Sequence, residues 1–191
     1  MKKLRFGIDI DGTVTRPDTF VPYLNESFQL NITLEDIKEY DLYPLVSVSH
    51  EEFDKWFIDN EPRIYTASPL AEGASVALSS WADKHELYFI SARGQHLLDI
   101  TKEWFVNNGI AYNHIDLIGT HHKIAAVKKY EVDIFFEDKH DNAVMIHHEC
   151  GIPVILFDTP YNREPIPDGV IRVTSWQEAS KWVDNWIKTK Q

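Results

Sequence analysis

The stretch Phe6-Gly7-Ile8-Asp9-Ile10-Asp11-Gly12-Thr13-Val14-Thr15 decides the reading of this chain. Residues 4–10 are apolar enough for a buried strand, yet the run ends in two carboxylates one residue apart, followed at once by Gly and Thr. On a strand, residues i and i+2 point the same way. Asp9 and Asp11 therefore face one small volume at the strand's carboxyl end, unless the chain kinks there, as Gly12 permits. In open α/β sheets that edge is where ligands bind. Two carboxylates held close repel each other, so such a site calls for a cation, a shared proton or both.

Downstream of residue 70 the pattern alternates. It predicts helices over residues 70–84, 95–108, 123–130 and 142–149, with strands over 86–91, 114–118, 132–136 and 152–157. A short strand follows over 170–173, then a Trp-rich amphipathic helix opened by Thr174-Ser175-Trp176-Gln177. Alternation at these lengths specifies βα units and a doubly wound, mostly parallel, Rossmann-like α/β sheet. Residues 16–70 break the rhythm with five prolines (Pro17, Pro22, Pro44, Pro62, Pro69) and no usable strand. Three helical segments are expected there: residues 18–29, one starting at Thr33, and one from Ser49 to about Asn60. The last opens with a Ser49–Glu52 capping box and carries Phe53, Trp56 and Phe57 on one face. The division expected is a core of residues 1–15 and 71–191, with a small helical cap, 16–70, inserted after the first strand over the sheet's carboxyl edge. The cap aromatics either pack on one another or stack on a planar ligand group.

With 191 residues, 43% hydrophobic and 13% aromatic, the chain has enough material for one well-packed core with a modest insertion. The single cysteine, Cys150, excludes an internal disulfide framework and fits a reducing compartment. No signal peptide fits the start, and no run approaches the roughly 20 apolar residues of a membrane span, so a cytoplasmic protein is expected. A net charge of −11 argues against a grip on a nucleic-acid polymer, so the partner expected is a small molecule. An anionic substrate then has to be met by a metal or by specific cations. The oligomeric state is not legible in the sequence.

Four fragments follow four expected strands: Asp9-Ile10-Asp11-Gly12-Thr13, Ser91-Ala92-Arg93, Lys123, and Glu137-Asp138 with Asn142 four residues on. A parallel sheet converges these strand ends. In this order and these residue types the constellation resembles the haloacid dehalogenase-like superfamily of phosphohydrolases. Length and insertion point are similar to its small bacterial 5′(3′)-deoxyribonucleotidase-like members.

The resemblance implies a phosphatase acting on a small phosphomonoester, a (deoxy)nucleoside monophosphate or another phosphorylated metabolite. A non-catalytic binding member of the fold is the contrasting reading. Asp9 would attack phosphorus and form an aspartyl-phosphate, while Asp11 would give a proton to the leaving oxygen and later take one from water. Mg²⁺ would be held by Asp9, Asp138 and the backbone carbonyl of Asp11. Gly12, Thr13, Ser91, Ala92, Arg93 and Lys123 would meet the substrate. With a phosphate dianion present, one Mg²⁺ and Lys123 leave the carboxylates about two charges short of neutrality, which predicts a protonated Asp11 at the attack step. Arg93 is open to two roles, a phosphate or substrate-hydroxyl contact, or a salt bridge at the cap hinge. Asn142 stands where an Asp is frequent, with Asp141 beside it, and Glu137 suits an outer role. The pairs His121-His122 and His147-His148 are not expected to chelate, since adjacent residues diverge. His140 is the better placed for a supporting contact near Asp138.

Overall fold

The computed structural model describes residues 3–190. Six strands form one sheet: β1 (Arg5–Ile8), β2 (Glu86–Ser91), β3 (His114–Leu117), β4 (Ile134–Glu137), β5 (Val154–Phe157) and β6 (Val170–Val173). Their order is β3-β2-β1-β4-β5-β6 and every pairing between them is parallel. Helices α1 (Val21–Phe28) and α2 (His50–Thr66) lie in the stretch between β1 and β2. α3 (Ala74–Ala82), α4 (Leu98–Asn107), α5 (Ile124–Lys129), α6 (His140–Cys150) and α7 (Trp176–Thr189) flank the sheet.

The strands are apolar because both faces are covered. On β4, Phe136 points into one core with Phe6, Trp81 and Trp176, and its neighbour Phe135 points into another with Val127, Ala143 and Ile146. Both phenylalanines are fully buried, as expected of a central parallel strand. Gly7 on β1 makes room for this: a Cβ there would lie 2.5 Å from the Phe135 ring. Trp176 opens α7 and packs on Phe136 and Phe157, which agrees with a packing role for the Trp-rich helix. Its indole N–H also donates to the Thr13 carbonyl at 3.1 Å, tying this helix to the loop after β1.

Connection order reverses between β1 and β4: the chain winds from β1 out through β2 to β3, then returns to pair β4 against β1. That reversal opens a crevice at the carboxyl ends of these two strands.

The helical stretch leaves and rejoins the core at a narrow neck. Arg16 N–H donates to the Pro69 carbonyl at 2.9 Å, and Ala71 N–H donates to the Val14 carbonyl at 2.8 Å, around an isolated antiparallel bridge of Thr15 with Leu70. Leu24, Val46 and Phe53 form a small separate core inside this stretch.

Some elements differ from expectation. The helix expected at Thr33 is a single 3₁₀ turn, Leu34–Asp36, closed by a Thr33–Asp36 capping box. Of residues 34–45 only Ile37 is buried, so no apolar stripe exists to extend a helix. α2 runs to Thr66 through Pro62, past the expected stop near Asn60. Burial of Ile64 and Tyr65 on its last turn offsets the hydrogen bond that Pro62 cannot make. α3 starts at Ala74 because Gly73, at φ 81°, caps it while residues 69–71 are held in the neck. Among the described residues no helix is long and apolar enough to cross a membrane.

Candidate active site

Asp9 follows β1 and is 4% exposed. Its backbone N–H donates to the Phe136 carbonyl at 2.9 Å, which seats it beside the end of β4. Lys123, just before α5, lies buried beneath it, donating from Nζ to Asp9 Oδ1 at 2.5 Å and to Glu137 Oε2 at 2.9 Å. Glu137 is spoken for on both oxygens. Oε2 also accepts from Asn142 Nδ2 at 3.3 Å, and Oε1 accepts the backbone N–H groups of Asp138 and Lys139. Asp138 differs. Its Oδ2 accepts from the Tyr161 hydroxyl at 2.6 Å, but its Oδ1 is buried with no partner.

One oxygen from each of Asp9, Glu137 and Asp138 lies within 4.8 Å of the others. Three buried carboxylates face one ammonium. Burial pushes the Asp9 carboxyl up to about 7 despite the opposing pull of Lys123, with Glu137 and Asp11 adding to the rise. Burial likewise holds Asp138 well above the carboxylate range, reinforced by Glu137 and Asp9. Glu137 is subject to the same burial, but the Lys123 ammonium overcomes it and leaves Glu137 below its ordinary value. Burial lowers Lys123, and Asp9 and Glu137 together more than reverse that. Asp9 and Asp138 are therefore the two carboxyls whose ionised forms lack a compensating charge. An orphaned buried oxygen in an all-oxygen donor set fits a hard divalent cation.

Asp11 reaches across to Arg93. The guanidinium pairs fork to fork, Nε to Oδ2 at 2.9 Å and Nη2 to Oδ1 at 2.7 Å. Its remaining nitrogen, Nη1, donates to Thr101 Oγ1 at 3.0 Å on α4, and its face lies 4.0 Å from the Tyr65 ring centroid on α2. Of the two roles open to Arg93 in the sequence, this arrangement is the salt bridge, with Asp11 as the unforeseen partner. Arg93 and Glu137 add opposite charges to the earlier count, so its shortfall stands.

Ser91, at the end of β2, is buried, and its hydroxyl accepts the Arg93 backbone N–H at 3.2 Å. Gly12 turns the loop at φ 75°, and a Cβ there would collide with Asp138 Oδ2. Asp9, Asp11, Gly12, Ser91, Ala92, Arg93 and Asp138 all line one cavity of about 460 Å³, a size suited to a small ligand. Phe20, Phe53, Phe57 and Tyr65 line its far side.

Thr13 is not brought there. It borders a second cavity behind the loop, with its hydroxyl buried and unpartnered. Lys123 meets the site only through Asp9 and Glu137. Asp141 points outward, its side chain 78% exposed. His140 bonds to Asp141 and to the Pro165 carbonyl rather than to Asp138. The histidine pairs diverge: His121 lines the main cavity, and His147 bonds to the Ile152 carbonyl while His148 pairs with exposed Glu149. Tyr161 and Thr101 escaped the sequence reading. Each is a single polar residue with no motif around it, placed by the loop after β5 and by α4.

A parallel sheet with order 3-2-1-4-5-6 and paired carboxylates at the β1/β4 crevice defines a haloacid dehalogenase-like hydrolase. The fold is shared by a solved haloacid dehalogenase-like hydrolase from Streptococcus pneumoniae, with a TM-score of 0.67 at 13% identity over 95% of this chain and 98% of that one. Within that class the chain belongs to the family described as 5′ nucleotidase, deoxy (pyrimidine), cytosolic type C protein (NT5C), which matches residues 3–191. A relative provisionally named a nucleotidase in Halalkalibacterium halodurans is 53% identical over 187 residues, covering 98% of this chain and 96% of its own. A second, with the same provisional name in Bacillus subtilis, is 53% identical over 182 residues, covering 95% and 94%. The chain is a phosphoric monoester hydrolase.

Proposed function

We propose that the chain is a Mg²⁺-dependent phosphatase of a (deoxy)nucleoside monophosphate, working through an aspartyl-phosphate on Asp9. The observation that carries this reading is the buried, partnerless Oδ1 of Asp138 beside Asp9, in a cluster short of positive charge. Asp9 and Asp138 with the backbone carbonyl of Asp11 would hold the ion, which supplies positive charge where the dianion and the attacking carboxylate would otherwise repel.

An Asp9 oxygen attacks phosphorus, the bond from phosphorus to the ester oxygen breaks, and Asp11 delivers a proton to that leaving oxygen. Water then attacks the phosphorus of the acyl phosphate, Asp11 takes its proton, and inorganic phosphate departs with Asp9 restored. Lys123 orients Asp9 and favours its ionised form, while Ser91 and backbone N–H groups near Gly12 hydrogen-bond the phosphoryl oxygens. Arg93 holds the Asp11 carboxylate at the cavity wall, and Asp11 releases one of its two guanidinium contacts when it carries the proton. Residues 16–70 act as the cap over the core of residues 1–15 and 71–191, and their aromatics supply an apolar wall for the leaving group. The nucleotidase names of the relatives and of the family favour a nucleotide over other phosphorylated metabolites. A lone cysteine, half-buried and unpaired, suits action in the cytoplasm.

The test is hydrolysis of p-nitrophenyl phosphate and of a panel of 5′- and 3′-deoxynucleotides, with Mg²⁺, with EDTA, and with Asp9→Asn. Turnover by the wild type that EDTA and Asp9→Asn both abolish is expected. Full activity in Asp9→Asn, or turnover indifferent to EDTA, overturns the reading.

A further inference from the structure

Glu61 takes no part in the chemistry above, yet its side chain is 9% exposed. It sits on α2, one helical turn before Tyr65, whose ring covers the Arg93 guanidinium that holds Asp11. Residues four apart on a helix are neighbours. Glu61 therefore stands one turn along α2 from the ring that covers Arg93, and it lines the same cavity as Asp11. Among the described residues its one hydrogen-bond partner is His96, Nε2 to Oε1 at 2.7 Å, and the His96 side chain is 65% exposed. No partner among the described residues meets Oε2, and that oxygen is not fully enclosed. A carboxylate this deeply buried normally has both oxygens satisfied. A single partner that is itself largely in solvent compensates it poorly. Phe57, one turn before Glu61 on α2, and Phe20, stacked on that ring, line the cavity without offering a donor.

We propose that Glu61 is a specificity-determining residue that accepts a hydrogen bond from a donor on the leaving group. An ionised carboxylate has only acceptors, so the group facing it must carry O–H or N–H. Its charge also turns away a leaving group that bears a second phosphate. The substrate class is thus a monophosphate ester of a polar, uncharged leaving group that carries a hydrogen-bond donor. This deepens the phosphatase reading above and rests on it. A sugar hydroxyl and a base N–H are the two sources of such a donor in a nucleotide.

The test compares kcat/KM within matched substrate pairs, so that a general loss of activity cancels in the ratio. Thymidine 5′-monophosphate is paired with its 3′-deoxy analogue, which lacks the sugar hydroxyl, and with its N3-methyl analogue, which lacks the base N–H. Glycerol 1-phosphate is paired with propyl phosphate, a comparison that does not require a nucleotide substrate. The wild type is expected to favour the donor-bearing member at least tenfold in the glycerol pair and in one nucleotide pair, the latter naming the source. In Glu61→Leu that preference falls to within threefold. Glu61→Gln removes the charge and keeps the shape, and it is expected to raise kcat/KM for thymidine 3′,5′-bisphosphate relative to the monophosphate at least fivefold. His96→Gln keeps the donor preference.

A wild type without donor preference overturns the proposal, as does a preference that survives Glu61→Leu. So does a collapse in His96→Gln equal to that in Glu61→Leu, which would reduce Glu61 to a bridge between α2 and the core. If the wild type hydrolyses none of these esters or p-nitrophenyl phosphate, the phosphatase reading itself falls, a distinguishable result.

Discussion

Asp11 and Arg93 meet as a bidentate ion pair, 2.9 Å from Nε to Oδ2 and 2.7 Å from Nη2 to Oδ1, with the Arg93 side chain fully buried. Fork-to-fork geometry of this kind fixes orientation as well as charge. Lysine keeps the charge but cannot supply two parallel N–H groups. Arg93→Lys is therefore expected to lower kcat by about 10²-fold, within the range carried by a general acid–base group. KM and the inhibition constant of inorganic phosphate should stay within about threefold, since the guanidinium's nitrogens serve Asp11 and Thr101 rather than the phosphoryl site. Steady-state kinetics with phosphate as competitor check this. Phosphate inhibition weakened tenfold with kcat intact would make Arg93 a phosphate ligand instead.

Tyr161 occupies Oδ2 of Asp138 and leaves Oδ1 as the free atom. Groups that orient a metal ligand typically matter 10–100-fold in affinity. Tyr161→Phe should raise the Mg²⁺ concentration for half-maximal activity by about that factor, with kcat at saturating Mg²⁺ nearly unchanged. A Mg²⁺ titration of turnover, repeated by thermal shift, measures it. An unchanged midpoint would mean that Asp138 holds its rotamer without the hydroxyl.

Gly12 is the point where the loop after β1 approaches Asp138 most closely. Its φ of 75° is unfavourable for other residues by about 1–2 kcal/mol, and an added Cβ would meet Asp138 Oδ2. Gly12→Ala should therefore cost at least 10²-fold in Mg²⁺-dependent turnover while the apoprotein keeps its circular dichroism spectrum. Wild-type activity in this variant would show that the loop can retreat without disturbing the carboxylates.

The strand pattern made the sheet legible in advance because parallel strands buried on both faces read as apolar runs, as Phe135 and Phe136 show. The carboxylates at strand ends were legible for the same reason, since each ends an apolar run abruptly. What was not legible depends on contacts distant in sequence. Arg93 finds Asp11 only because β1 and β2 are neighbours. Tyr161 finds Asp138 because Asn162 Nδ2, donating to the Asp138 and Phe157 carbonyls, folds that loop back. Thr13 sits in the signature motif, yet the turn after Asp11 sends its hydroxyl to the rear of the loop. The end expected for α2 near Asn60 gave way because burial of its last turn overrode the cost of Pro62 inside the helix.

The raised carboxyls make Mg²⁺ binding depend on pH with a definite sign. Burial pushes Asp9 up from the ordinary carboxylate range to about 7, and it shifts Asp138 the same way. A carboxyl raised on folding binds more protons in the native state than in the unfolded chain, so stability falls as pH rises from about 4 to about 7. Glu137, shifted down by Lys123, works oppositely, but its contribution is already complete above its unfolded value and does not change across pH 5.5–8. Over that window Asp9 gives up its proton, and Asp138, raised the same way, holds its own more tightly than a free carboxyl. A divalent cation binds the ionised forms and must displace their protons. The rise in Tm caused by saturating Mg²⁺ should therefore be small at pH 5.5 and grow steadily to pH 8. In Asp138→Asn the increment should be much smaller at every pH, because one of the ionising partners is gone. Differential scanning fluorimetry in matched ionic strength, with and without Mg²⁺, reads this directly. An increment that is flat across the window, or largest at low pH, would separate the ion from these two carboxylates.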